Sequence, residues 1–327
     1  MKKKWIKRLI LSVPVMVLIY YLTLHHGSEP ERINTVTSIN KELARQPEIS
    51  RETHHVIYAL HESGYLVKAH GEKNLDVSTI ESIFELLTVN AYQLPETVTS
   101  LIPASATLLD YELVAGGLTL NLSEAFLYYL PRVEQQLVSS LVWTYTELDE
   151  VNRVSFKIEG EPVNNLNGPL NVGRGLTRQM GINLELTSGR LNDAELLMLY
   201  FLTDDSAAGF LVPVTRLVAY YVDPVRYAVE SLIRGPLGER YVSVFNHNTM
   251  LLEDPIIEDG LVTLNFSTDL YYDRAQTKVS SSMLRQLTMT LTEFTNVDRV
   301  SVVINGNIRV FDDQSNAITV PASRFGY

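Results

Sequence analysis

The chain contains the same stretch twice. Residues 116–123 read Gly-Gly-Leu-Thr-Leu-Asn-Leu-Ser, and residues 260–267 read Gly-Leu-Val-Thr-Leu-Asn-Phe-Ser. A tyrosine pair follows each, Tyr128–Tyr129 and Tyr271–Tyr272. Further on, Thr144-Tyr-Thr-Glu-Leu148 matches Thr290-Leu-Thr-Glu-Phe294, Val151-Asn-Arg-Val-Ser155 matches Val297-Asp-Arg-Val-Ser301, and Gly160 matches Gly306. The offset is 144 at Gly116/Gly260 and 146 at Gly160/Gly306, so the second copy carries a two-residue insertion. A match this long and ordered marks a whole domain present twice rather than a solenoid unit, and 327 residues leave room for two such domains.

Periodicity sets the elements within each copy. Leu118–Leu122 and Val262–Phe266 alternate apolar and polar residues, as half-buried strands do. Gly116-Gly117 and Asp259-Gly260 before them are hairpin signals, with Ala106–Val114 and Met250–Ile257 as the preceding strands. Val138, Leu141, Tyr145 and Leu148 step by three and four, and so do Leu284, Leu287, Leu291 and Phe294, which predicts two helices. Val154–Ile158 and Val300–Ile304 close the copies as strands. Upstream, Val56–Leu60 and Leu197–Phe201 read as first strands, Tyr65–Lys68 and Leu211–Val214 as second strands, and Thr79–Leu87 and Tyr227–Ile233 as first helices. Each half is therefore β-β-α-β-β-α-β. The expected organisation is an α+β tandem repeat, with the first domain over 54–163 and the second over 193–315. A glycine-rich connection of 164–192 packs in part on the first domain, and 316–327 form a tail.

The N-terminus carries a different signal. Lys2, Lys3, Lys4, Lys7 and Arg8 form a basic flank (1–8) before an uncharged apolar run, Leu9 to Leu24. Those 16 residues reach roughly 24 Å as a helix, a little under the ~30 Å hydrocarbon core, with Trp5, Tyr20 and Tyr21 placed for the interfaces. The expectation is an uncleaved transmembrane signal anchor at 9–24. A cleaved signal peptide is the alternative, against which no small-x-small site follows the run, and a buried core helix fits the basic flank badly. The positive-inside rule then puts the N-terminus in the cytoplasm and the bulk outside, on a polar tether of 25–53. The chain has no cysteine, which excludes disulfides, thiolate metal sites, thiol catalysis and a lipidated anchor. Net charge is −11 overall and −16 without the basic flank, which argues against nucleic acid as a partner.

The ordered set resembles the GerMN-domain family. Its second copy carries the resemblance better, through Leu199-Tyr-Phe-Leu202, Leu211-Val-Pro-Val-Thr-Arg216 and the helix ending Leu232-Ile-Arg-Gly-Pro236. The first copy has Thr88-Val-Asn-Ala91 in place of that Gly-Pro. The resemblance covers about residues 55–315. It implies a fold like the ring-building motif of secretion-system and sporulation-channel proteins. It also implies a non-enzymatic assembly role in sporulation or germination, in the space between mother cell and forespore. Members are often lipoproteins; without a cysteine, a transmembrane anchor has to replace the lipid here.

Candidates for chemistry are sparse. Ser38-Ile-Asn-Lys41 has the spacing of penicillin-recognising enzymes but lies in the tether without companion motifs. His25, His26, His54, His55, His61, His70 and His247 show no metal-ligand spacing. The polar residues common to both halves are Asn121/Asn265, Ser123/Ser267, Thr146/Thr292, Glu147/Glu293 and Arg153/Arg299. A tandem enzyme would carry two sites among them, but a simpler reading makes them fold determinants. The serines cap turns, the threonines bond back along their helix, and Glu147 pairs with Arg153 across a corner. The Asn-x-Ser triplets at Asn121 and Asn265 are then architecture rather than glycan acceptors. The tyrosine pairs read as core, with a platform for wall glycan as the alternative. The expectation is no catalytic, cofactor or metal site. The partners expected are the membrane through the anchor, protein partners or self-association, and the cell wall (peptidoglycan) as the alternative, with a hydrolase less favoured.

Overall fold

The computed structural model describes residues 53–186, 194–204, 209–219, 223–273, 275, 277–313, 315, 317–318 and 322–323. The apolar run at 9–24, the tether up to residue 52, Ser38, Lys41, His25 and His26 lie outside them. Among the described residues no helix is long and apolar enough to cross a membrane.

The first domain runs β1 (His54–His61), β2 (Leu66–Glu72), α1 (Thr79–Leu86), β3 (Val98–Thr99), β4 (Leu108–Val114), β5 (Gly117–Leu122), α2 (Glu134–Tyr145), β6 (Arg153–Ile158) and β7 (Glu161–Pro162). The connection contributes β8 (Glu185–Leu186). The second domain runs β9 (Ala194–Thr203), β10 (Leu211–Ala219), α3 (Pro224–Arg234), β11 (Tyr241–Val242), β12 (Ile256–Glu258), β13 (Leu261–Phe266), β14 (Lys278–Val279), α4 (Ser281–Leu291), β15 (Arg299–Ile304), β16 (Phe311–Asp312) and β17 (Ala322–Ser323). Apart from short edge strands, both halves follow β-β-α-β-β-α-β.

The repeat extends to the register. β5 pairs parallel with β6 from Gly117↔Arg153 to Leu122↔Ile158, and β13 pairs parallel with β15 from Leu261↔Arg299 to Phe266↔Ile304. A parallel pair needs a crossover, and α2 and α4 supply it. β3 pairs with the end of β1 just as β11 pairs with the end of β9. Sheet orders are β2-β1-β3 and β4-β5-β6-β7 in the first domain, and β11-β9-β10-β8, β12-β13-β15-β17 and β14-β16 in the second.

Local chemistry fixes the element ends. Ser78 and Glu81 close a reciprocal capping box on α1, worth about 1 kcal/mol. α3 starts three residues before the periodicity predicts because Asp223 caps it and Pro224 opens it. It ends at Gly235, whose φ of +89° suits glycine. The hairpin turns have positive φ at both central residues, Ala115–Gly116 and Asp259–Gly260. The first turn thus sits one residue earlier than the Gly-Gly pair indicates.

The strand expected over Met250–Ile257 shrinks to Ile256–Glu258, because the ring of Pro255 fixes its φ away from the extended values of an antiparallel ladder. Leu251 keeps one isolated bridge to Phe266. β1, β2, β9 and β10 outrun their apolar runs: pairing carries β1 and β2 on to His54↔Glu72. The expected tail returns to the second domain, where β17 pairs with β15.

α2 is buried on nearly every face, not on the single stripe that periodicity indicates. Leu137, Val138, Leu141, Val142 and Tyr145 join the main core with Leu118, Leu120, Val154 and Phe156. Trp143 faces the other way, into a smaller cluster with Tyr58, Leu66 and Ile182.

The connection binds both domains. Leu166, Leu170, Val172, Leu176 and Met180 pack on the main core. Asn183 accepts from Leu66 N (3.0 Å) and donates to Leu66 O (2.7 Å) and Pro213 O (2.8 Å), bridging β2 to β10. Tyr65 and Tyr241 meet edge to face across the same junction, 4.6 Å apart.

Candidate functional site

The polar residues shared by the two halves are the natural place to look for a site, and the structure gives most of them the same architectural partners twice. Tyr58, on the first strand, donates its hydroxyl to Glu147 at 2.7 Å, and Tyr200 donates to Glu293 at 2.7 Å. The same tyrosines' backbone N–H groups donate to Thr144 and Thr290, at 2.9 and 3.0 Å. Each final helix is thereby buttoned to the first strand of its own domain. The acidic residues sit where the helix ends, held by a phenol rather than aimed into a cleft.

The remaining pairs follow suit. Asn121 and Asn265 accept from the N–H of Gly160 and Gly306, at 2.8 and 3.2 Å, securing the turn after the closing strand. Asn121 is buried and also donates to Asp110, so its Asn-x-Ser triplet is not presented for a glycan. Thr146 and Thr292 bond back to Val142 O and Thr288 O, as the sequence leads one to expect. Ser123 and Ser267 stand at the N-cap of a short turn but do not cap it. Their hydroxyls instead accept from Thr107 N and Met250 N, and their own N–H groups return bonds to the same residues' carbonyls. Arg299 donates to Asp259 O at the hairpin, and Arg153 is exposed.

One expectation needs correcting. The ion-pair partner of Glu147 is Arg178 from the connection, 2.6 Å away, not Arg153. Arg178 also donates to Thr146 Oγ1 and lies over the Trp143 ring, 4.6 Å from its centre. It places a cation where the carbonyls of α2 end.

The tyrosine pairs split. Tyr129 is buried and donates to Glu134 Oε2 at 2.6 Å, while Tyr128 is 69% exposed. Tyr272 is 56% exposed and Tyr271 packs partly against the core. Only one member of each pair is therefore core. Burial, and then Glu134, push the Tyr129 hydroxyl well above its ordinary range. Glu134 also accepts from Leu170 N, and Asn167 N donates to Tyr129 Oη, which fastens the start of the connection.

Two constellations escape a reading of the repeat. Arg216 and Glu185 form an ion pair at 2.7 Å, both about 5% exposed. Glu185 further accepts from Leu237 N, Gly238 N and Tyr241 Oη, and Arg216 donates to Gly235 O. The Gly235-Pro236 corner is thus gripped by an acid supplied by the connection. The second constellation is His55 Nε2, 2.8 Å from Ser82 Oγ, which also accepts from Asn74 N. Burial, and then Lys73, lower the His55 pKa to about 4, so the ring is neutral at pH 7. A serine beside a neutral histidine is half of a nucleophile set. Here, however, both side chains are buried, and among the described residues no carboxylate bonds the other ring nitrogen. A polar hollow of about 290 Å³ lies against Ser82, lined also by Glu72, Lys73, Asn74 and Asn90. Its volume lies at the lower end of the range of ligand pockets, about 300–1,000 Å³.

The other histidines stand apart. His61 bonds Ser63 at 3.0 Å, His54 bonds Thr53, and His247 is exposed. Burial, then Lys68 and Arg285, lower the His70 pKa to about 4. Among the described residues no group of three or more His, Asp or Glu side chains is placed to hold a metal.

Known proteins share the tandem fold. The sequence profile of the Germane family, described as "Sporulation and spore germination", matches residues 56–164 and again 198–309. The spore germination protein GerM of Bacillus subtilis (strain 168) is 28% identical over 299 residues, covering 88% of this chain and 81% of that protein. The solved tandem GerMN domains of the sporulation protein GerM from Bacillus subtilis superpose with a TM-score of 0.75 at 28% identity, over 83% of this chain and 97% of that one. Matched by the family profile once in each half, the chain belongs to the Germane family of sporulation and spore-germination proteins and carries its GerMN domain in tandem.

Proposed function

We propose that this chain serves sporulation or spore germination as a membrane-anchored, extracytoplasmic structural part that acts by contact rather than by catalysis. One observation carries the reading. The shared tyrosine, glutamate, threonine, asparagine and serine side chains are bonded into their own domain, in the same way in both halves. Residues kept alike by two copies for a common reaction would converge on a cleft; these converge on strand ends, turns and a helix terminus. The basic flank and apolar run before Leu24 support anchoring in the membrane. The family resemblance, which implies a fold like the ring-building motif, supports a place in an assembly between mother cell and forespore.

A second reading, a wall-binding module, is favoured by the exposed Tyr128 and Tyr272, at matching places after β5 and β13. Sedimentation of the full chain in detergent, with and without purified peptidoglycan, separates the two. The assembly reading expects self-association or a co-purifying protein and no retention by wall material. A monomer that pellets with peptidoglycan, and stops doing so on Tyr128→Ala with Tyr272→Ala, would replace it with the wall-binding reading. N-terminal sequencing of membrane-extracted protein should find residues before Leu24; a start near Gly27 contradicts the anchor.

A further inference from the structure

The two halves differ sharply at one place, the outer strand of the second sheet. In the second domain that strand, β12, is three residues long and follows Pro255. In the first domain it is β4, seven residues long and at the edge of its sheet, with β5 as its strand neighbour. From Leu109 onward every residue of β4 is exposed. Leu109, Tyr111, Leu113 and Val114 are 47%, 37%, 37% and 61% exposed. Natural edge strands are usually blunted by shortness, proline, lysine or a bulge, because open backbone groups recruit another strand. β12 is blunted by proline and shortness. β4 has only a register shift between Leu108 and Asp110.

The hairpin geometry shows what the open edge offers. Val114 and Gly117 flank a two-residue turn and pair with each other, so they form a hydrogen-bonded pair, and bonding alternates from there. Val114, Glu112 and Asp110 turn their backbone groups toward β5, whereas Leu113 and Tyr111 turn theirs outward. Leu113 pairs with Leu118 and Tyr111 with Leu120, both fully buried. The residues with free backbone groups therefore also lie on the core side of the sheet, at its uncovered rim. The opposite side of the strand carries Asp110 and Glu112.

Charge decides the occupant. Two copies of β4 pairing antiparallel must keep Tyr111 and Leu113 on one side, so only registers that differ by two residues are open. Tyr111 opposite Tyr111 sets Asp110 against Glu112 twice. The next registers set Asp110 against Asp110, or Glu112 against Glu112, and the register with Leu113 opposite Leu113 overlaps only Glu112–Val114 before the hairpin turn at Ala115 ends the strand. Directly opposed like charges destabilise a strand pair.

We infer that β4 is a docking edge for an extended segment of a different protein, one that alternates apolar residues with lysine or arginine and adds to the sheet as a fifth strand. The apolar residues cover Tyr111 and Leu113, the basic residues meet Asp110 and Glu112, and the backbone ladder supplies sequence-independent affinity. This deepens the contact role proposed above and rests on it.

The test is binding of fluorescent peptides of about eight residues to the full chain in detergent. One peptide alternates lysine with valine, the other glutamate with valine. The lysine peptide should bind about tenfold more tightly than the glutamate peptide. Glu112→Lys should shrink that preference to about threefold or less. Leu113→Pro, which removes an outward N–H at an edge where proline is tolerated, should abolish binding with the circular dichroism unchanged. If Leu113→Pro does not fold, Leu113→Lys serves, since that side chain is partly exposed. Equal affinity for the two peptides, or binding that survives in a folded Leu113 variant, overturns the inference. So does a concentration-dependent dimer of the unmodified chain that Leu113→Pro dissolves, since the occupant is then a second copy. Failure here leaves the contact role standing or falling on the replacement of its shared polar residues.

Discussion

A single hydroxyl accounts for part of each domain's closure. Thr144 and Thr290 each accept the buried N–H of a first-strand tyrosine, at nearly equal length. Thr144→Val and Thr290→Val remove that acceptor from a buried N–H, at about 1–3 kcal/mol each. Urea unfolding should find the two costs alike; a large loss from one and none from the other contradicts the equivalence. His55 gives a pH dependence. Its folded pKa of about 4 lies below the unfolded value of 6.5, so the unfolded chain takes up the proton first. The stability it contributes is complete above pH 6.5 and falls away toward pH 4. From pH 7 to pH 5 the loss is about 2 kcal/mol. In His55→Gln the difference between those two pH values should shrink by about that amount, measured by urea unfolding; an unchanged difference assigns the acid sensitivity elsewhere. The shared glutamates, threonines and asparagines are visible in the sequence at offsets of 144 and 146. The glutamates' partners Tyr58 and Tyr200 are 142 apart, a third offset that extending the match to the first strands would reveal. Arg178, Asn183 and Glu185 lie in the connection, outside the repeat. No pattern marks them, because each answers to a contact distant in the chain.

At the scale of elements, the helices and the central strands are legible because their periodicity is strong and occurs twice. The edges are not, since pairing rather than local hydrophobicity sets where a strand stops. β2 runs on through His70 and Gly71 because β1 lies beside it. β8 and β17 are two-residue strands that exist through their neighbours β10 and β15. β12 is the reverse case, an apolar run cut short by Pro255. The final helices carry the packing: Leu141 and Leu287 are fully buried at corresponding positions. Leu141→Ala and Leu287→Ala should each cost about 2–5 kcal/mol, read as a fall in the urea midpoint with little change in slope. A cost under 1 kcal/mol at either site contradicts the packing described.

At the scale of the molecule, the connection joins the halves. It lends Arg178 to the last helix of the first domain, Asn183 to both β2 and β10, and Glu185 to the Gly-Pro corner of the second. What the tandem displays to the outside is a set of sheet edges and exposed aromatics, while most of its shared polar residues bond within their own domain. The proposed contact role requires that these residues hold the fold and carry out no reaction. Its most direct measurement replaces each acidic, histidine and serine side chain of the two domains, Glu147→Gln, Glu293→Gln, His55→Gln and Ser82→Ala among them. Each variant is expressed in a spore-forming host lacking the native gene, and spore yield and germination are plotted against the protein's abundance. The account predicts one curve, with every loss of function tracking a loss of protein. A variant that is folded, fully abundant and still bound to its partners, yet inactive, would contradict it.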